Sequence, residues 1–242
     1  MLEKTLGIVL HNVKYADNSR IINIYTEKYG RMPFIANFPS KKKCGLRIVN
    51  FQNASILELD ISNKARNTIQ RIKDAKPYYN YQTIPFDVNK SAIIFFLSEI
   101  FSKTLNEESG NSELFNFIKD SLIFFDKLNV NVSFFHHIFL IELSKHLGFE
   151  PLDNYSEKYC YFDFTEGSYT DHLPLHSSYF NKEVSSEFYK ISSYSLNNIE
   201  NEEFKIRFKT EILEGIIEYY KIHFNTIKDI VSYKVLKDVF NV

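Results

Sequence analysis

Three consecutive lysines, Lys41, Lys42 and Lys43, stand between Arg31 and Arg47, and Arg20 lies a short way before them. Residues of this type at this spacing do one kind of chemistry well. They neutralise closely spaced phosphates, and each phosphate neutralised releases a counterion, which makes binding steeply salt-dependent. Tyr25, Tyr29, Phe34 and Phe38 are interleaved with these cations. Flat aromatic faces beside a cationic track suit a single nucleic-acid strand, whose bases can stack on them. In an alternating strand half of those rings must point inward, so the lysine run is the stronger part of the signal. The bland reading is a solvated lysine loop beside core aromatics.

Other reactive side chains make a weaker case. His172 and His176 have the His-x3-His spacing of a zinc half-site, and the thiolate of Cys160 could add a third ligand. A structural zinc site takes four ligands in two close pairs, however, and the chain has only two cysteines, Cys44 and Cys160, with no Cys-x2-Cys. The expectation is no metal and ordinary surface histidines. His136 and His137 fall in an apolar helical stretch and must face different directions, one toward the surface and one toward the core margin. No Walker loop, dinucleotide-binding glycine turn or nucleophile elbow occurs, and seven glycines in 242 residues argue against phosphate-cradling loops. No nucleophile–base pair stands out, so the chain is not expected to be an enzyme.

The elements that must carry these residues divide at about residue 80. Residues 1–80 hold 14 Lys/Arg against 6 Asp/Glu, and residues 81–242 hold 15 against 24, so a net charge of −1 conceals a basic head on an acidic body. A basic domain suggests a polyanion partner. Alternating apolar residues predict strands over 5–13, 20–26, 31–38, 54–61 and 67–74, with a turn at Tyr15–Ser19. Five short strands in so few residues fit a small closed barrel, either an OB-fold or an SH3-like barrel. After the polar linker at 80–85, wide apolar faces predict helices over 88–105, 112–128 and 133–147. Ser112 is placed to cap the second, and Gly148 to end the third. Residues 151–198 read as an irregular excursion with a hairpin at 159–169 and a short helix near 185–191. A helix over 202–224 and a last one at 232–240 close the chain, packing back on the first three. No apolar run is long enough to span a membrane, no signal core is visible, and the cysteine usage suits a reducing cytosol.

At several points the chain resembles the RecO family. Gly7-Ile8-Val9-Leu10, Tyr15-Ala16-Asp17-Asn18-Ser19-Arg20-Ile21 and Tyr25-Thr26-Glu27-Lys28-Tyr29-Gly30-Arg31 are similar to its N-terminal signature. The basic loop and Phe51-Gln52 follow in order. Leu97-Ser98-Glu99-Ile100, Ser112-Glu113-Leu114-Phe115, the helix end Glu142–Pro151, Tyr219-Tyr220 with His223, and Ser232–Leu236 continue the likeness to the C-terminus.

The resemblance implies an α+β, multidomain protein. An N-terminal five-stranded OB-fold barrel (1–80) binds DNA, and a helical domain (81–242) carries a small inserted module (151–198) that is zinc-finger-like in zinc-bearing members. Those members have four cysteines in the module; here only Cys160 is left, so the module is expected to be a metal-free, degenerate hairpin held by Tyr159, Tyr161, Phe162 and Phe164. The implied role is that of a cytoplasmic bacterial recombination mediator, associated with the nucleoid during repair. It binds single- and double-stranded DNA, anneals strands coated by single-strand-binding protein and helps load RecA together with RecR. DNA contacts are expected at Arg20, Arg31, Lys41, Lys42, Lys43 and Arg47. The acidic tail of the single-strand-binding protein needs an apolar pocket beside cations, for which Lys119, His137 and Lys145 are the candidates. The competing reading is a protein-binding adaptor whose DNA contact is incidental; an RNA-binding OB protein is a third, and a hydrolase the last.

Overall fold

The computed structural model describes residues 2–38, 46–62 and 68–240. Its N-terminal strands are β1 (Leu2–Ala16), β2 (Ser19–Thr26), β3 (Gly30–Asn37), β4 (Ile56–Ser62) and β5 (Gln70–Pro77). They close into a barrel in the order β1-β2-β3-β5-β4. β1 is long because it serves two neighbours. Its first half pairs antiparallel with β4 (Thr5↔Leu59) and its second half with β2 (Asn12↔Ile22). Gly7 sits at the changeover, where a Cβ would fall 2.6 Å from Ile24 and 2.7 Å from Leu59, so only glycine lets the three strands come this close. The barrel closes through a short parallel contact of β3 with β5, at Phe34↔Gln70 and Ile35↔Arg71. A five-stranded barrel with β1 shared and β3 meeting β5 is the OB-fold, which settles the choice the strand pattern left open. Ile22, Ile24, Phe34, Leu57 and Ile61 fill its interior and are wholly buried.

By contacts the chain forms two compact units: residues 1–127 with 230–239, and 128–229 with 240–242. The first therefore contains more than the barrel. It adds α1 (Val88–Thr104), α2 (Ser112–Lys127) and most of α6 (Ser232–Phe240). The carboxylate of Asp126, 1 % exposed, gathers the linker by accepting the backbone N–H groups of Gln82, Thr83 and Ile84 at 2.8–2.9 Å and the Tyr79 hydroxyl at 3.0 Å. Burial alone would raise the Asp126 pKa, but these four donors outweigh it and hold the carboxyl below its usual range. Asp87 caps α1 by accepting the Lys90 N–H, and Asn111 caps α2 by accepting the Leu114 N–H. The α2 cap is thus one residue earlier than Ser112, which is already helical. Glu99 on α1 accepts the N–H groups of Val231 and Ser232 and the Ser232 hydroxyl, and so caps α6.

The second unit holds α3 (Phe135–His146), the strands β6 (Tyr161–Asp163), β7 (Ser168–Thr170) and β8 (Tyr179–Phe180), α4 (Lys182–Ser192) and α5 (Lys209–His223). α3 ends as its sequence predicts. Gly148 has φ +85°, its N–H donates to Lys145 O at 3.1 Å, and the next N–H, of Phe149, donates to Ser144 O at 3.0 Å, the paired bonds of a Schellman end. The predicted hairpin is β6–β7, but β8 adds a third strand on the other side of β6; two residues carry no period by which to foresee it. The helix predicted over 202–224 begins only at Lys209. Glu187, 4 % exposed on α4, accepts the Arg207 and Phe208 N–H groups at 2.8 and 2.9 Å and pairs with the Arg207 side chain at 3.1 Å. It caps the chain there, and Phe204, which fitted the helical repeat, stacks instead on Phe134 with ring centroids 4.3 Å apart.

Candidate nucleic-acid interface

The expected cationic contacts separate on the barrel. Lys41, Lys42 and Lys43 lie outside the described residues. Arg47 precedes the short 3-10 helix Ile48–Phe51 and is exposed. Arg20 opens β2 and stands directly across from Lys14 of β1. Its guanidinium donates to Asn12 Oδ1, and Asn12 donates in turn to Phe51 O at 2.8 Å. Arg31 is different. Its guanidinium donates to Ser102 O at 2.8 Å and Asn106 Oδ1 at 2.6 Å, and its backbone N–H donates to Glu107 O at 2.7 Å. It thus satisfies a carbonyl at the C-terminal end of α1, where a cation also complements the helix dipole. Burial pushes its pKa down. The neighbouring turn fits as closely: a Cβ on Gly30 (φ +64°) would meet Glu107 O at 2.2 Å, and one on Gly110 would meet Lys28 O at 2.4 Å.

The interleaved aromatics separate in the same way. Tyr25 and Phe34 are wholly buried, and burial raises the Tyr25 pKa. Tyr29 is half-buried, with its hydroxyl on Glu3. Phe38 reaches the surface in part, its ring edge-on to Phe51 at 5.4 Å and its N–H donating to Asn18 O at 2.7 Å. Sequence reasoning named Arg20 and Phe38 but missed Lys14 and Ile48, which join them there. The β1–β2 register slips by one residue at Tyr15, between the pairs Lys14↔Arg20 and Ala16↔Ser19. A bulge of this kind re-aims a side chain, and Tyr15 is 65 % exposed. Beneath this hairpin is a cavity of about 250 Å3 lined by Lys14, Asn18, Arg20, Phe38 and Ile48, with Ala16, Asp17 and Ser19 completing it. The signal that could have found Lys14 is its place opposite Arg20 across a predicted turn.

The tail-pocket candidates fall in both units. Lys119 is in the first unit, bonded to Asn116 Oδ1 at 2.8 Å and Asp120 at 3.4 Å. His137 and Lys145 are in the second. Lys145 is paired with Glu150 at 3.2 Å. His137 is 1 % exposed, with its Nε2 3.0 Å from Lys209 O, so it offers no surface to a peptide. His136 is buried as well, at 2 %, against the expectation that one of the pair would reach solvent. Burial holds both well down, His137 to about 3.

In the inserted module the residues do not fit a zinc ion. His176 Nε2 is turned to Asp163 at 3.1 Å and His172 to Asp171 at 3.0 Å, while Cys160 is buried. Among the described residues no three His, Cys, Asp or Glu side chains are grouped to hold a metal. An aromatic core occupies the module instead, with Phe162 ringed by Tyr169, Phe188 and Tyr219 at 4.9, 4.7 and 5.7 Å. Tyr161 and Tyr159, expected in that core, are more exposed than Phe162 and Phe164. Among the described residues no helix is long and apolar enough to cross a membrane.

Comparison with known proteins covers both halves of the chain. The family model for the recombination protein O N terminal matches residues 1–81, and that for the recombination protein O C terminal matches residues 85–226. Curated relatives are similar from end to end. A DNA repair protein RecO of Bacteroides fragilis is 34 % identical over 243 residues, covering 100 % of both chains. One of Phocaeicola vulgatus is 31 % identical over 241 residues, again covering 100 % of both. One of Flavobacterium psychrophilum is 31 % identical over 240 residues, covering 98 % of this chain and 99 % of its own.

Proposed function

Because this chain belongs to the recombination protein O family, whose role is in DNA repair and recombination, we propose that it is a non-enzymatic mediator that binds DNA through its barrel. It binds single and double strands, anneals strands coated by single-strand-binding protein, and helps load RecA together with RecR. It acts without nucleotide hydrolysis and without a bound metal. The observation that carries this reading is the match of both family models to a chain whose N-terminal part is an OB-fold. OB-folds bind single strands with a cationic groove and stacking rings. Arg20, Arg47 and the lysine run are the cations assigned to the phosphates; Arg31 supports the barrel from behind.

The test is fluorescence anisotropy of a labelled single-stranded oligonucleotide at low and moderate salt, followed by annealing of complementary strands without nucleotide. Tight binding that falls steeply with salt, with annealing, is the expected result. No binding at low salt and no annealing would leave the protein an adaptor for other proteins.

A further inference from the structure

The cavity under the β1–β2 hairpin has features that the barrel's own stability does not explain. Lys14 and Arg20 are direct cross-strand partners. Like charges in that position destabilise a sheet, yet among the described residues neither makes an ion pair, with Asp17 of the lining or with any other carboxylate. The lining is divided. Two cations, Lys14 and Arg20, come from the strands, and two apolar residues, Phe38 and Ile48, the latter 48 % exposed, complete the lining. A ligand that satisfies both parts carries an anionic group and a flat apolar one. The volume, about 250 Å3, is below the roughly 300 Å3 where drug-sized sites begin and suits one ring system. The site is also held in place before any ligand arrives. Phe38 N–H is bonded to Asn18 O, Ser19 Oγ donates to Asn37 Oδ1 at 2.8 Å, and Arg20 is braced by Asn12. A preformed site spends little ordering entropy on binding.

We infer that this cavity is a subsite for one unpaired nucleotide, with its phosphate on Lys14 and Arg20 and its base against Phe38 and Ile48. The inference rests on the DNA-binding reading above and adds to it a strand preference. A base paired and stacked in a duplex has no face free to enter the cavity, so the apolar part contributes to single strands alone. The cations contribute to both.

The experiment uses the full chain, a labelled oligothymidylate, and a duplex of the same length, each titrated over a range of salt. Phe38→Leu should weaken oligothymidylate binding by about fivefold or more, the lower range of one base-stacking contact, and Ile48→Ser should weaken it in the same direction. They should leave the duplex affinity and both salt slopes unchanged. Lys14→Gln should instead reduce the single-strand salt slope by about 0.7, the value of one phosphate. Ile48 is half exposed, so its variant keeps the test valid if loss of the Phe38–Phe51 contact unfolds the other. Equal losses on single strand and duplex, or no loss in either apolar variant, would overturn the subsite while leaving DNA binding intact. A wild-type chain that binds neither DNA would instead remove the underlying reading, and the subsite with it.

Discussion

Two arginines of similar standing in the sequence have different surroundings. Arg20 stands across from Lys14 and lines a cavity with it, whereas Arg31 donates to Ser102 O and Asn106. The difference is measurable. Arg31→Ala removes charge-assisted hydrogen bonds and should cost about 1–2 kcal/mol of stability, since such bonds contribute about 1.5–3 kcal/mol when well protected and this one is only partly so. It should leave the salt slope of DNA binding unchanged. Charge reversal of Lys41, Lys42 and Lys43 should do the reverse, weakening binding and flattening the slope with little change in urea midpoint. If Arg31→Ala flattens the slope as strongly as the lysine reversal, Arg31 belongs to the interface after all. The lysine run was legible from residue type alone. The separation of Arg20 from Arg31 was not, because both lie in alternating strands and only the packing of the α1 end against the β2–β3 turn consumes one of them.

At the scale of the element, α3 carries two buried histidines. His136 and His137 are buried neutral, and the folded pKa of His137 is depressed to about 3 by burial, with the hydrogen bond to Lys209 O pulling the other way. A group depressed on folding contributes its full stability above its unfolded pKa, 6.5, and loses it as pH falls toward the folded value. Below pH 6.5 the unfolded chain binds the extra protons, so each of the two histidines should cost up to about 1.4 kcal/mol per pH unit. Asp126, Glu99 and Glu187 are held below their usual range and also lose stability in acid, but they begin to do so only near the unfolded carboxylate pKa, about 4. The window from pH 6.5 to about 4.5 therefore belongs to histidines: the α3 pair together with His11 and His223, which burial also holds down. Urea unfolding at steps across that window should show stability falling with pH, and His137→Gln should flatten the fall. A wild-type midpoint that stays level from pH 7 to 5 would contradict the buried-neutral assignment. Periodicity placed α3 correctly, yet it could not bury both histidines, because only the fold brings Lys209 O to His137 and the Phe240 ring to His136.

At the scale of the whole molecule, the contact boundary at Lys127 and the charge boundary near residue 80 have different origins. Composition changes where strands give way to helices. Compactness changes where the packed surfaces end, and α1, α2 and most of α6 pack in the same unit as the barrel. The barrel should accordingly be a poor domain by itself. A fragment ending at residue 80 would expose the β2–β3 turn that Glu107 and Ser109 cover and lose the linker gathered by Asp126. It should melt at a lower temperature than a fragment of residues 1–127, or fail to fold. Equal melting temperatures for the two fragments would show that the helices add nothing to the barrel.

The sequence by itself determined the barrel, its five strands, the helices after it and the family, because hydrophobic period and turn residues are local properties and the family's motifs keep their order along the chain. It also marked the lysine loop, since a charge run needs no partner to be recognised. Tertiary structure decided which cations and rings face outward, where the helix after Glu187 begins, and that both histidines of α3 are buried. Each of these depends on a second segment well removed along the chain: Ser102 for Arg31, Glu187 for Phe208 just before the helix, Lys209 for His137. Local pattern carries no record of what a side chain will meet across such a distance, and it is that meeting which sets burial, charge and availability for binding.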